Sequence, residues 1–393
     1  MRWFRIVPPG FEGRSAYTTA TRLAVLSMVV EHKMNFEAAS NLSRVLLNLP
    51  QLASTTVLRW YRDAGGKVDY RGHIQRMADV FSGQMAIDEV YDGEYYIIKV
   101  TDPLNGVEIT SRIGDGSPNH HDVTEVLQEL ADAGFRPQLI VTDASKIYPK
   151  ALKAVFPEAE HQLCVFHYIK GVLDKMGAAF REAKATMPLP PKRRAGRPAK
   201  RGRPRKDRVK RTNRKNVQKV RYILFKRPGL DRQGRSRITE TEQRRIDRAL
   251  ELCPPLGPLR RFALALYELF GPTTNSPALA EERRRTILSN PEFGATESLR
   301  TFLKRLSNEQ YFAQLIRYQS FENADKTSNH PERENREFRK RQKSHYRLRS
   351  IQSLCAFLDL LLVRREPPRT PRRLTRRPEP IPTSTTNTEA IAA

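Results

Sequence analysis

QMAIDEVYDGEYYIIKVTDPLNGVEITSRIGDGSPNHHDVTEVLQELADAGFRPQLIVTDASKIYPKALKAVFPEAEHQLCVFHY, residues 84–168, is the stretch on which the reading of this chain turns. Its patterning gives three strand-like runs, a helical run, a fourth strand, a helix, a fifth strand and a further helix. Consecutive strands followed by crossover helices predict a mixed sheet covered on both faces, an α/β class. Two carboxylates sit at matching places. Asp88 follows the apolar run Met85, Ala86 and Ile87, and Asp143 lies just past Leu139, Ile140 and Val141. A buried carboxylate without a partner is costly, so an acid in or at the end of an apolar strand needs a reason. Two such strands side by side would aim both acids at one point.

That arrangement suits divalent-metal phosphoryl transfer. Two hard cations roughly 3.5–4 Å apart activate the attacking oxygen and stabilise the leaving one, and carboxylate oxygens suit such ions. A third acid is then expected from elsewhere in the chain. The candidate is Glu332, in TSNHPERENREFRKRQKSHYRLRS (residues 327–350), where a polar turn opens a strongly basic helix. Glu334 and Glu337 are fallbacks, less well placed relative to Asn329.

The runs IDEVYDGEYYIIKVTD, IVTDASKIYPKAL, CVFH and SNHPERENREFRKRQKSHYRLRS together resemble the DDE transposases of bacterial insertion sequences. The branch is the one related to Mutator transposases, which keeps a Cys-x-x-His or Asp-x-x-His element after the second Asp. The resemblance covers about residues 84–168 and 325–363. It implies a ribonuclease H-like core interrupted by a mostly helical insertion before the catalytic Glu. It matches Asp88, Asp143 and Glu332 to the catalytic and metal-binding acids, holding two Mg²⁺ or Mn²⁺ ions. Cys164 and His167 match the intervening element, with His167 near the scissile phosphate or supporting the site. The implied activity is hydrolysis at transposon ends followed by transfer of the 3′-hydroxyl into target DNA, by a homo-oligomer acting on double-stranded DNA.

Charge points independently to a polyanionic partner. The 393 residues carry 70 Lys and Arg against 43 Asp and Glu, a net charge of +27. Such an excess favours phosphate neutralisation and counterion release. The three cysteines, Cys164, Cys253 and Cys355, are odd in number and far apart, which argues against a disulfide framework and for a cytoplasmic, nucleoid-associated protein. No stretch approaches the roughly 20 apolar residues of a membrane span. Cys164 and His167 lack a second Cys/His pair at usable spacing, so a structural zinc site is not expected.

Residues 1–66 read as an arm followed by three short helices, at about 19–31, 36–47 and from Ser54, a plausible N-cap. They suggest a helix-turn-helix, with Arg59 and Arg62 on the recognition helix. The same residues also fit a plain helical subdomain with Leu58 and Trp60 in its core. Residues 67–83 form a linker, and 84–185 the first part of the core. Residues 186–221 contain a single acid, Asp207, and read as a basic disordered segment. Within it, Arg201 and Arg203 flank Gly202 in a sequence resembling an AT-hook. Residues 222–324 form the helical insertion, where Thr239 and Glu242 fit a capping box. Residues 325–363 complete the core, with Arg336, Arg339 and Lys340 trailing Glu332 as DNA contacts, and 364–393 read as a disordered tail. Two other functions fit the same features: a catalytically inactive or domesticated DNA-binding protein, and a ribonuclease H-like nuclease.

Overall fold

The computed structural model describes residues 16–92, 94–188, 205–231, 233–344, 348, 350–363 and 366–378. Four helices, α1 (Thr19–Val30), α2 (Phe36–Leu46), α3 (Ser54–Gly65) and α4 (Tyr70–Val80), precede the strands β1 (Gln84–Asp92), β2 (Tyr95–Asp102) and β3 (Val107–Asp115). Then come α5 (His120–Asp132), β4 (Leu139–Thr142), α6 (Tyr148–Val155), β5 (Glu160–Leu163) and α7 (Val165–Ala185). The five strands form one sheet in the order β3-β2-β1-β4-β5. The first three pair antiparallel, while β1–β4 and β4–β5 pair parallel, as the crossovers through α5 and α6 require. This mixed sheet is compatible with a ribonuclease H-like core.

Alternation along β1 decides what each face buries. Met85 and Ile87 face a core shared with Ile98, Val100 and Ile140 and with α4, α5 and α6. Val90 of β1 and Ile97 of β2 join α1–α3 and the closing helices α15 (Asn329–Ser344) and α16 (Ile351–Val363) in another core.

The amino-terminal helices therefore share a core with the sheet rather than standing apart from it. Trp60 of α3 is buried in it, as in the plainer reading of the sequence, and so is Tyr61, whereas Leu58 is only half-buried. Arg62, expected on DNA, instead donates to Ser353 Oγ at 2.7 Å and Ser350 Oγ at 3.1 Å, fastening α3 to the start of α16. Arg59 is exposed. Ser54 is not the cap: the N-cap is Ala53, without a side-chain hydrogen bond, and Ser54 is the first helical residue.

Between α7 and the return to the sheet lie α8 (Arg205–Lys219), α9 (Glu240–Leu252), α10 (Leu256–Leu269), α11 (Pro277–Ser289), α12 (Pro291–Ala295), α13 (Glu297–Ser307) and α14 (Glu309–Ile316). They pack with α7 around their own core. The expected capping box opens α9, with Glu242 N–H donating to Thr239 Oγ1 and Thr239 N–H to Glu242. Residues 205–219, expected to be disordered, form α8. The reason is apolar spacing inside the basic run: Val217, Val220 and Leu224 are fully buried against the insertion. Arg201 and Arg203 lie outside the described residues.

Two buried glutamines take hold of the returning chain. Gln162 of β5 donates to Leu315 O at 2.9 Å and accepts from Tyr318 N–H at 2.8 Å. Gln84 of β1 donates to Asp325 O at 2.6 Å and accepts from Asp325 N–H at 3.0 Å. Residues 366–378, expected within a disordered tail, also dock on the sheet. Leu374 is buried beside Leu139 and Phe321, and its N–H donates to Ser82 O at 2.7 Å.

Two outcomes are expected. A Cβ added at Gly65 would lie 2.4 Å from Ala356 Cβ on α16. Gly65→Ala should therefore destabilise the fold by about 1–3 kcal/mol in urea titrations, as overpacking does. His161 Nε2 lies 2.8 Å from the Thr142 hydroxyl, and burial pulls its pKa down to about 4. The unfolded chain takes up this proton near pH 6.5, so stability should fall as pH drops from about 6.5 towards about 4. His161→Gln should lose less over that window in thermal melts.

Candidate active site

Strand register sets the geometry. Parallel pairing aligns Gln84 with Leu139 and Ala86 with Val141. Continued by two residues, the same register brings Asp143 level with Asp88. The β4–β5 register, which aligns Thr142 with Leu163, brings Cys164 level with Asp143 in turn, and Cys164 N–H donates to Thr142 O at 2.7 Å. Asp88, in the middle of β1, thus stands in a row with Asp143 and Cys164, which lie just past the carboxyl ends of β4 and β5.

Asp88 is buried, and its Oδ2 accepts from Asn335 Nδ2 of α15 at 2.8 Å. Its neighbour across the antiparallel pair is Lys99, a natural counter-charge. Lys99 is committed elsewhere: its Nζ lies 2.6 Å from Glu108 Oε1, with both side chains buried. Burial pushes the Asp88 carboxyl up to about 6; His167 and the Asn335 hydrogen bond pull against this, while Asp143 and Glu332 add to it. Glu89, on the opposite face of β1, is raised to about 7, again chiefly by burial. The half-buried Asp143 accepts from Ser145 N–H at 2.8 Å, a turn that fixes its carboxylate past the end of β4.

Glu332 lies in the first turn of α15, its N–H donating to Ser328 O at 3.2 Å. Asp88, Asp143, Glu332 and His167 all line one open cleft of about 540 Å³, together with Asn335, Arg336 and Arg339. Glu337 lies off it, paired with Lys33 at 2.6 Å and Arg341 at 3.0 Å. Lys340 is exposed and does not line the cleft. Among the described residues, no group of three or more His, Cys, Asp or Glu side chains is gathered tightly enough to hold a metal ion by itself.

Cys164 and His167 tie the beginning of α7 to the returning chain. Ser328 N–H donates to Cys164 Sγ at 3.2 Å, Ser328 Oγ lies 3.3 Å from His167 Nδ1, and Val165 N–H donates to Lys326 O at 3.1 Å. Burial alone would raise the Cys164 thiol, but hydrogen bonds from His167 and Ser328 outweigh it and bring the pKa down. The same contact with Cys164 is the main cause that raises His167 to about 9, against burial. The contact thus favours the cationic form of an imidazole that stands beside two carboxylates.

Residues 120–171 match the MULE transposase domain. The match supports a transposase of the Mutator family. It runs from α5 into α7, so it contains Asp143, Cys164 and His167 and stops short of Asp88 and Glu332 on either side. No curated protein matches the chain. Among the described residues, no helix is long and apolar enough to cross a membrane.

Asn335, Ser145 and Lys99 escaped the reading of the sequence. Asn335 alone left a trace, standing three residues beyond Glu332 and so on the same helical face. Cys164→Ala should leave the buried Ser328 N–H without an acceptor and cost about 1–3 kcal/mol. Cys164→Ser, which keeps an acceptor, should cost less. In the alanine variant the His167 titration, followed by NMR, should fall towards the ordinary imidazole range.

Proposed function

We propose that this chain is a DDE transposase that cuts DNA at transposon ends and joins the freed 3′-hydroxyl to target DNA. The observation that carries the reading is the meeting of Asp88 and Asp143, from adjacent parallel strands, with Glu332, from a helix beyond a long insertion, in one cleft edged by arginines. The ribonuclease H-like core and the acid-to-helix connection through an insertion belong to the same reading.

The donor set fits Mg²⁺ or Mn²⁺. Mg²⁺ keeps several waters and takes only one or two protein carboxylates alongside substrate phosphates, so no closed cage of three acids is required. Burial, with the charges of Asp143 and Glu332 adding to it, holds Asp88's proton affinity up, and a divalent cation would offset both. Asp88 and Asp143 would hold two such ions with Glu332; when bound, these ions activate the attacking oxygen and stabilise the leaving one.

The chain's own groups have separate tasks. Asn335 and the Ser145 N–H hold the two Asp carboxylates in place. Arg336 and Arg339 bind phosphate oxygens of the strand entering beside α15. His167, cationic through its contact with Cys164, stabilises negative charge on the phosphate under attack. None of these steps needs a covalent protein–DNA intermediate. Residues with exposed positive charge elsewhere, Arg59 among them, hold the DNA duplex, and paired ends call for a homo-oligomer.

The test uses the purified chain and a plasmid carrying its own gene with flanking DNA, incubated with Mn²⁺ and mapped for new 3′ ends and joined products. Asp143→Ala should abolish both products while leaving DNA affinity nearly unchanged. Binding without cutting by the wild type would move the assignment to an inactive or domesticated DNA-binding protein. Cutting without joining would move it to a nuclease.

A further inference from the structure

The cleft over the acids has a second lobe. Asp143, Ser145 and His167, which line the α15 side, also line a cavity of about 340 Å³ on the other side, closed by Tyr168 of α7 and by Arg305 and Tyr311 of the insertion. Helices α13 and α14 thus form a wall of the candidate active site. Arg305 is exposed, in the last turn of α13, and its charge acts on both the Tyr168 and Tyr311 hydroxyls.

Charge and position together mark this lobe: among the described residues its arginine is unpaired, and it borders the acids. Several exposed arginines of the insertion are neutralised in place, such as Arg244 by Glu240, Arg248 by Glu251 and Arg261 by Glu292. Among the described residues, Arg305, Arg336 and Arg339 have no such ion pair. The cleft therefore has acids at its centre and uncommitted guanidinium groups at both ends. A nucleic-acid strand presents a phosphate at every nucleotide, so a strand with one phosphate over the acids places its neighbours to either side. Guanidinium groups match phosphate oxygens in geometry as well as charge.

We propose that the insertion-side lobe is a DNA-strand subsite in which Arg305 binds an internucleotide phosphate on the side of the scissile bond opposite to Arg336 and Arg339. The inference rests on the proposed function, whose site it extends. On this account the strand runs from α15 across Asp143 to α13, and the insertion holds substrate at the reacting centre.

The test measures binding, so that it is read separately from cutting. A fluorescein-labelled single strand of roughly ten deoxythymidines, about one short binding site, is titrated with the full chain across a salt series. Ca²⁺ is present to occupy the acids. Arg305→Ala should weaken binding severalfold and make the dependence of log K on log salt shallower by about 0.7, the value for one phosphate contact on a single strand. Arg305→Lys should recover most of that slope. Arg300→Ala, on the same helix but lining neither lobe, should keep the wild-type slope. A wild-type slope in Arg305→Ala, with its melting temperature unchanged, would overturn the proposal. So would an equal loss in Arg300→Ala, which would mark general screening by a basic surface. Failure of the wild type to cut plasmid DNA would defeat the functional reading and leave this slope difference standing.

Discussion

Asp88 is a buried carboxylate whose neighbouring lysine does not neutralise it. Lys99 stands directly across the strand pair, yet its ammonium is turned to Glu108 and buried with it. Removing either partner of such a pair would leave an uncompensated charge inside the protein, so the pair is locked once formed. Asp88 is left with the amide of Asn335, two nearby acids and the imidazole of His167. A carboxylate in that position is expensive for the fold to keep ionised. The arrangement is economical if a cation and a phosphate arrive together, since each then offsets charge that the protein leaves unbalanced.

The same constraint explains why the chain returns to the sheet as it does. Glu332 is separated from α7 by the whole insertion, and loop closure of that length costs little more than a shorter one would. What matters is precision at the point of return. Gln162 fixes Leu315 and Tyr318, Gln84 fixes Asp325 from both sides, Val165 fixes Lys326, and Cys164 with His167 fixes Ser328. These contacts follow one another along the backbone and end four residues before Glu332. Each uses a polar group at an end of a sheet strand or the start of α7, so the frame that carries the two Asp carboxylates also carries the helix that brings the third acid. Cys164 and His167 serve that frame structurally, and their contact favours a protonated imidazole beside the acids.

The sheet was legible because strand periodicity is local. Residues 84–163 alternate or run apolar for lengths that suit strands, and the crossover helices between them dictate which strands pair parallel. The positions of Asp88 and Asp143 followed from that alone. What could not be read was the partner of each amphipathic face. Helix α3 shows an apolar stripe and a set of basic residues, which fits a helix entering DNA as well as one lying on α16; Gly65 against Ala356 and Arg62 on Ser350 and Ser353 belong to the second case. Composition misled in the same way at α8 and at residues 366–378. In both, one to three apolar side chains at the right spacing, Val217, Val220 and Leu224 or Leu374 alone, secure a segment that its charge and proline content describe as unfolded.

The overall positive charge does not by itself make a site for DNA chemistry, because a uniformly basic surface binds a phosphate backbone anywhere along it. Placement of the negative charge is what selects a position. Around the candidate cleft the acids lie innermost, half-buried or buried, and the arginines lie outward on α15 and α13. A strand drawn in by the outer charges meets the acids at only one place along its length. There, on the proposed reading, cations would bridge the repulsion between phosphate and carboxylate, tying binding at that position to the metal. On the proposed reading, the insertion contributes to this selection by bringing Arg305 of α13 to the lobe that α15 does not reach.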